Sequence, residues 1–191
     1  MKQRGETTAR RFEGISVLFA DAAGFTPISA EMDPTEVVGM LNEVFSHFDS
    51  LAERYGCEKI RTIGDAYMVA SGVPVPRPDH ATALASMALD MLEYGKQGPL
   101  RFRIGINSGP AVAGVIGLKK FQYDVWGDTV NTASRMESQG EPGKIQISEA
   151  TYHLLKDDFV CTPRGPLQVK GKGILNTWYL EGSREPAHTI V

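Results

Sequence analysis

Two long amphipathic segments separated by a hairpin pattern constrain the fold of this chain more than any other feature. The first segment follows the helix-start signal Asp33-Pro34-Thr35-Glu36, and its apolar residues recur three and four positions apart up to Gly56. Two strand-like runs, 59–63 and 66–70, then flank Gly64-Asp65, a dipeptide typical of a tight turn. Because this hairpin interrupts any alternation of single strands with single helices, the pattern disfavours a doubly wound sheet.

The order of the remaining predicted elements favours a split βαβ arrangement. An apolar strand at 15–20 precedes the first helix, a second helix begins at Asp79, and strand runs within 102–115 follow, interrupted at Ser108-Gly109-Pro110. The smaller predicted elements are helices at 129–137 and 152–155 and strands at 144–148, 167–169 and 178–180. We therefore expect an α+β, ferredoxin-like (split βαβ) fold: one antiparallel sheet with flanking helices on one face.

Length and composition fit one medium-sized globular domain. The 191 residues are 42% hydrophobic and 23% charged, with a net charge of −3, which gives no reason to expect a nucleic-acid partner. No apolar run is long enough to cross a membrane, so we expect a cytoplasmic domain whose membrane contacts, if any, lie in parts absent from this chain. We predict a polar tail or linker end at 1–13, the domain at 14–181 and a flexible tail at 182–191.

Two aspartates suggest a metal site. Asp21 ends the first predicted strand and Asp65 lies in the hairpin turn, so a split βαβ sheet brings both to one edge. Carboxylate oxygens are ligands that Mg²⁺ or Mn²⁺ prefers, and two such ions can hold a triphosphate. Taken singly, the two residues also fit a helix cap and a turn former.

A small-residue loop leads from the first strand into a helix start at Gly24-Phe25-Thr26. Backbone N–H groups there can receive phosphate oxygens, and glycine permits close approach. The sequence contains no Gly-x-x-x-x-Gly-Lys-Ser/Thr motif, which excludes a P-loop NTPase.

Longer strings in the chain resemble the class III nucleotidyl cyclases, especially the mycobacterial type of bacterial adenylate cyclase domain. The resemblance extends from about 14 to 180 and is carried by the strings 19–26, 58–68, 102–109, 123–137 and 169–173. It implies a ferredoxin-like core and a head-to-tail homodimer with two shared active sites.

The resemblance assigns the metal site and the phosphate contacts. It implies that Asp21, Asp65 and the main-chain carbonyl of Ala22 bind two Mg²⁺ or Mn²⁺ ions. Arg103 matches the family arginine that contacts phosphates, although a sheet-surface charge is the simpler interpretation of this residue.

Lys59 and Asp124 are the expected base-reading pair. Lysine only donates and suits adenine N1, whereas an ionised aspartate only accepts and suits the N6 amine. Guanine presents the reverse pattern, so the pair favours ATP. The alternatives are an exposed strand lysine and an aspartate in a strand-end turn.

Asn131 and Arg135 lie four residues apart and share one helix face. The resemblance assigns Asn131 to ribose positioning and Arg135 to the α-phosphate in the transition state, with Lys170 at the terminal phosphates. A solvated polar pair is the alternative for the first two, and Lys172 is expected to be solvated.

The predicted function is an adenylate cyclase that converts ATP to 3′,5′-cyclic AMP and pyrophosphate by in-line attack of the ribose 3′-hydroxyl. Val125, Trp126 and Phe121 are candidates for the dimer contact or for the core. Rival hypotheses are a guanylate cyclase, a catalytically silent nucleotide-binding module and a polymerase-like palm.

Overall fold

The computed structural model describes residues 8–117 and 120–184. In chain order, the elements are β1 Thr8–Ala23, α1 Phe25–Glu31, α2 Pro34–Tyr55, β2 Glu58–Ile63, β3 Ala66–Ser71, α3 His80–Gln97, β4 Arg101–Ile116, β5 Gln122–Trp126, α4 Asp128–Ser138, β6 Ile145–Ser148, α5 Glu149–Leu155, β7 Phe159–Val169 and β8 Gly173–Ser183. Among these residues, no helix combines the length and the apolar character needed to span a membrane.

All strands join one mixed sheet in the order β2-β3-β1-β4-β6-β8-β7, with β5 paired to β4. The part built from β1 to β4 is antiparallel throughout and has the strand order of a split βαβ unit, which confirms the predicted fold class. The expectation of a wholly antiparallel sheet is wrong at one pair, because β6 runs parallel to β4.

Helices cover both faces of the sheet rather than one. On one face, α2 and α3 enclose a core that includes Phe48, Leu84 and Met87, all at most 1% exposed. On the other face, Val130 and Ala133 of α4 pack with residues of β1 and β3. The second layer arises because β1 is apolar on both faces, so each face needs a cover.

The local signals for the first long helix and the hairpin are confirmed. The Asp33 side chain accepts a hydrogen bond from Thr35 N at 2.8 Å, which caps α2, and Gly56 ends the helix with φ +63°. Gly64 has φ +59°, so the two-residue turn with Asp65 closes β2 onto β3 as predicted.

Several predicted boundaries differ from the structure. β4 continues through the predicted interruption at 108–110, because long pairing with β1 maintains it, and β5 was not predicted. β1 begins at Thr8 and β8 ends at Ser183, so parts of both predicted tails belong to the sheet. The other parts of the predicted tails, 1–7 and 185–191, lie outside the described residues.

Candidate active site

Asp21 and Asp65 meet at one end of the central strands. Asp21 is the partner of Ala66 across the β1–β3 ladder, and Asp65 is the residue immediately before Ala66. Both carboxylates are partly buried. The hairpin therefore brings together the two acids that the sequence predicted to converge.

The electrostatics of this pair fit a divalent cation. Burial raises the pKa of the Asp21 carboxyl, and the adjacent Asp65 carboxylate raises this pKa further, while Arg103 opposes both effects. A cation between the two carboxylates would relieve their repulsion, and hard oxygen donors suit Mg²⁺ or Mn²⁺. Within 8–117 and 120–184, no group of three or more His, Cys, Asp or Glu side chains forms a metal-binding cluster.

Arg103 lies beside these acids. On β4 it is the partner of Asp21 in the β1–β4 ladder, and its Nη2 donates to Asp21 Oδ2 at 3.2 Å. Its Nε donates to Glu137 Oε1 at 2.7 Å. Arg103 is thus part of a charged network at the acidic pair rather than an isolated sheet-surface charge.

A second group of predicted residues lines a cleft between α4 and the turn that joins β7 to β8. Asn131 and Arg135 face this cleft from the helix, and Lys170 faces it from the turn. The cleft has a volume of about 390 Å³. The asparagine, arginine and lysine side chains all carry N–H donors, which makes the cleft suitable for an anionic ligand.

Lys172 is not simply solvated, which corrects the expectation for this residue. Its Nζ forms an ion pair with the Asp128 carboxylate at the start of α4. Gly171 and Gly173 have φ +81° and +80°, and this positive φ lets the short turn hold Lys170 and Lys172 at the cleft.

The cleft residues and Glu137, which contacts Arg103 beside the acidic pair, lie on opposite faces of α4. Asn131 and Arg135 are exposed, whereas Met136 and Glu137 are buried against the sheet. Residues 135 and 137 are about 200° apart around a helix. One copy of the chain therefore directs its acidic pair and its cleft residues in different directions.

Lys59 and Asp124, which were predicted to contact one base, do not contact each other in the structure. Lys59 Nζ donates to Asp49 at 2.9 Å and lies over the Tyr67 ring. Asp124 instead accepts a hydrogen bond from Arg61 Nη1 at 3.0 Å. Sequence reasoning missed Arg61, although it lies in the same strand-like run as Lys59.

A β-bulge in β2 explains why Arg61, and not Lys59, contacts Asp124. The β2–β3 register shifts between Lys59 and Arg61, so these residues do not share a face as alternate residues of a regular strand would. Asp124 Oδ1 also accepts from Val125 N at 2.8 Å, which fixes the carboxylate. The Asp124 side chain is only 13% exposed and is largely protected from water, whereas the Arg61 side chain is 39% exposed.

The residues of the predicted phosphate loop stand at the start of α1. Gly24 precedes the helix with φ +74°, and Phe25 and Thr26 form the first turn. The Ala22 side chain is buried in the core under this loop.

Of the candidates for a dimer contact, Val125 is a core residue at 2% exposure. Trp126 is partly buried, and Phe121 is 79% exposed. Ile116 is a further exposed apolar residue near the same β4–β5 connection.

Comparison with known proteins agrees with this geometry. Residues 7–182 match the family model described as "Adenylate and Guanylate cyclase catalytic domain". An adenylate cyclase of Mycobacterium tuberculosis is 49% identical over 185 residues, which cover 94% of this chain and 42% of that protein. The chain thus spans less than half the length of this relative.

Solved structures give the same result. The catalytic core of a rhodopsin-guanylyl cyclase with converted specificity, in complex with ATPαS, has a TM-score of 0.89 and 40% identity, covering 93% of this chain and all of that one. The adenylyl cyclase CyaB of P. aeruginosa has a TM-score of 0.87 and 33% identity, covering 93% and 97% of the two chains. With a family match over nearly its whole length, this chain belongs to the adenylate and guanylate cyclase catalytic domain family.

Proposed function

We propose that this domain is an adenylate cyclase that converts ATP to 3′,5′-cyclic AMP and pyrophosphate. The observation that carries the proposal is that one chain holds both an acidic site, Asp21 and Asp65, and a separate cationic cleft at Asn131, Arg135 and Lys170. The reaction needs both sites. The metal ions at the acidic site bind the triphosphate, and the cationic cleft stabilises the negative charge that develops on the α-phosphate.

Two Mg²⁺ or Mn²⁺ ions at the acidic pair would polarise the ribose 3′-hydroxyl and stabilise the departing pyrophosphate. Asp21 and Asp65 supply carboxylate ligands, and the carbonyl of Ala22 is a further proposed ligand. The backbone N–H groups at Gly24, Phe25 and Thr26, where a helix leaves its first amides unpaired, receive phosphate oxygens.

The cleft residues act on the substrate itself. Asn131 donates to the ribose and fixes the direction of its 3′-hydroxyl, while Arg135 donates to the α-phosphate as negative charge develops there. Lys170 neutralises the terminal phosphates. Arg103, next to the acidic pair, adds a donor for the phosphates on the metal side.

We propose Arg61 in place of Lys59 as the partner of Asp124 at the base. Arginine only donates and suits adenine N1, and the Asp124 carboxylate accepts from the N6 amine. A purine that leaves the mostly buried Asp124 carboxylate without a partner is bound less well. The 3.0 Å contact between these side chains supports their acting together on one base edge.

The proposed assembly is a head-to-tail homodimer with two active sites. Because Asn131 and Arg135 face away from the side of α4 that contacts Arg103 and the acids beside it, a second copy would bring the cleft of one chain to the acids of the other. The exposed side chains of Phe121 and Ile116 are suitable apolar contacts for such an interface.

The test is a product assay with ATP or GTP, Mn²⁺ or Mg²⁺, and a series of protein concentrations. We expect cyclic AMP as the main product, with specific activity that rises with protein concentration as dimers form. A higher kcat/KM for GTP would contradict the assignment of ATP. Absence of any cyclic nucleotide from a concentrated, folded, dimeric sample would favour a silent nucleotide-binding module instead.

A further inference from the structure

Glu137 is the exception on the buried face of α4. No other buried side chain of the helix is charged, yet Glu137 is only 9% exposed. A buried carboxylate is costly unless it is paired and hydrogen-bonded. Glu137 receives that pairing from Arg103, whose Nε lies 2.7 Å from Oε1.

A glycine on β4 permits this contact. A Cβ atom at Gly105 would collide with the backbone of Met136 and Glu137, so only glycine lets α4 approach β4 this closely. Gly105 lies two residues from Arg103 along β4. The direct contact of helix and strand thus brings the Glu137 carboxylate to the Arg103 guanidinium.

Arg103 is shared between two carboxylates. Its contact with Glu137 through Nε, at 2.7 Å, is shorter than its contact with Asp21 through Nη2, at 3.2 Å. The Glu137 side chain is also the more buried acid, at 11% exposure against 24% for Asp21. The guanidinium is therefore held mainly from the α4 side.

The formal charges show what Glu137 changes. Asp21, Asp65 and Glu137 contribute −3 and Arg103 contributes +1, so the group carries −2. Without the Glu137 charge, the group would carry −1, and the guanidinium would have the acidic pair as its remaining counter-charge. Attraction of a divalent cation to Asp21 and Asp65 would then be weaker.

We propose that Glu137 is a positioning residue for the cyclase reaction, which rests on the proposed function. It holds Arg103 through Nε and offsets its positive charge, so that Asp21 and Asp65 remain available to divalent cations. With Nε held, the Nη groups are free to leave Asp21 for a phosphate oxygen when Asp21 binds a cation. Glu137 itself does not touch substrate.

The test measures Mn²⁺ binding directly, without nucleotide, from the electron paramagnetic resonance signal of free Mn²⁺. We expect the isosteric, neutral variant Glu137→Gln to bind Mn²⁺ about 10- to 100-fold more weakly than the wild type. Glu53→Gln, which removes an exposed acid on α2, is the matched control and should bind as the wild type does. Unfolding followed by circular dichroism verifies that each variant is folded.

A second pair of variants tests whether the Arg103 charge weakens Mn²⁺ binding at the acidic pair. This test remains decisive if Glu137→Gln does not fold. Arg103→Gln should bind Mn²⁺ more tightly than the wild type, and Arg103→Gln/Glu137→Gln, whose group again carries −2, should return close to the wild-type affinity. Mn²⁺ affinity of Arg103→Gln no higher than that of the wild type would overturn the proposal.

The outcomes separate this inference from the proposed function. Loss of Mn²⁺ binding in Asp21→Asn but wild-type binding in Glu137→Gln overturns the role of Glu137 alone. Wild-type binding in both variants overturns the proposed metal pair as well.

Discussion

Arg61 Nη1 lies 3.0 Å from Asp124 Oδ2, joining two residues that are 63 positions apart in the chain. Arg61 is on β2 and Asp124 on β5, so the contact links the outer hairpin to the strand that precedes α4. Lys59, the residue that the sequence favoured, contacts Asp49 of α2 instead. This difference provides a direct test of which cation recognises the base.

Arg61→Ala should lower kcat/KM for ATP by on the order of 10²-fold or more, because Asp124 loses its partner and adenine N1 loses its donor. Lys59→Ala is the matched control, since it removes a cation from the same strand. We expect it to leave the ratio of ATP to GTP turnover unchanged. The reverse result, with the ratio altered only by Lys59→Ala, would support the prediction that Lys59 and Asp124 contact the base.

Mixing two inactive variants should restore activity if the site is shared between chains. Asp21→Asn removes a proposed metal ligand and Arg135→Ala removes the proposed transition-state donor, so each homodimer is expected to be inactive. A mixed dimer contains one site without either change, and up to about a quarter of wild-type specific activity should return at equal concentrations, because half of randomly mixed dimers carry one intact site of two.

That experiment needs proof that mixed dimers form. Differently tagged chains, co-purified through both tags, supply it. No recovered cyclic AMP from such a sample would contradict a site built across two copies.

Gly105→Ala should destabilise the domain by about 1–3 kcal/mol or more, because the added methyl group meets the backbone of α4 rather than a movable side chain. Gly39→Ala is the opposite control. It lies within α2, where an added Cβ meets nothing within 4 Å, and alanine should stabilise the helix by about 0.5–1 kcal/mol. Urea unfolding measures both changes, and equal midpoints for Gly105→Ala and wild type would show that α4 can move away from β4.

His80 should make folding stability depend on pH. Burial lowers the pKa of the His80 ring, the Asp79 carboxylate opposes this with a smaller effect, and the Arg77 cation adds a further small lowering. The ring Nδ1 lies 2.8 Å from Ser16 Oγ. Because the folded-state pKa is below the unfolded value of about 6.5, the unfolded chain takes up more protons. Stability is therefore full above about pH 6.5 and falls as pH drops below that value.

Urea unfolding of wild type and His80→Gln between pH 7.5 and 5.5 tests this relation. The variant should lose less stability than the wild type over that range. His153→Gln, at an exposed position on α5, is the control and should retain the wild-type slope. A wild-type slope in His80→Gln as well would assign the pH dependence to other groups.

Local signals made much of the fold predictable from sequence. Asp33 caps its helix, Gly56 ends it, and Gly64-Asp65 forms a turn, because each depends on residues adjacent in the chain. Features set by distant pairing were not predictable in this way. The parallel pairing of β6 with β4 joins residues about 40 positions apart, such as Ile104 and Ile145.

The candidate site likewise contains some features that local sequence signals predict and others that depend on distant contacts. Asp21 and Asp65 could be brought together from the strand order, and Asn131 and Arg135 from helical spacing. Lys59 was predicted to contact the base, and the bulge that accompanies the Arg61–Asp124 contact could not be recognised from the strand pattern. Glu137 lies at the end of the predicted helix at 129–137, and its burial depends on Gly105 of a different strand.

The two-sided use of α4 has a consequence for a symmetric pair of chains. Each copy of the helix would belong to two reaction centres at once, with Glu137 behind one and Asn131 and Arg135 inside the other. A tilt of α4 that strengthens nucleotide binding in one active site would also shift the metal-binding residues of the other. Occupancy of the two centres would then be coupled, and saturation by ATP would depart from a simple hyperbola.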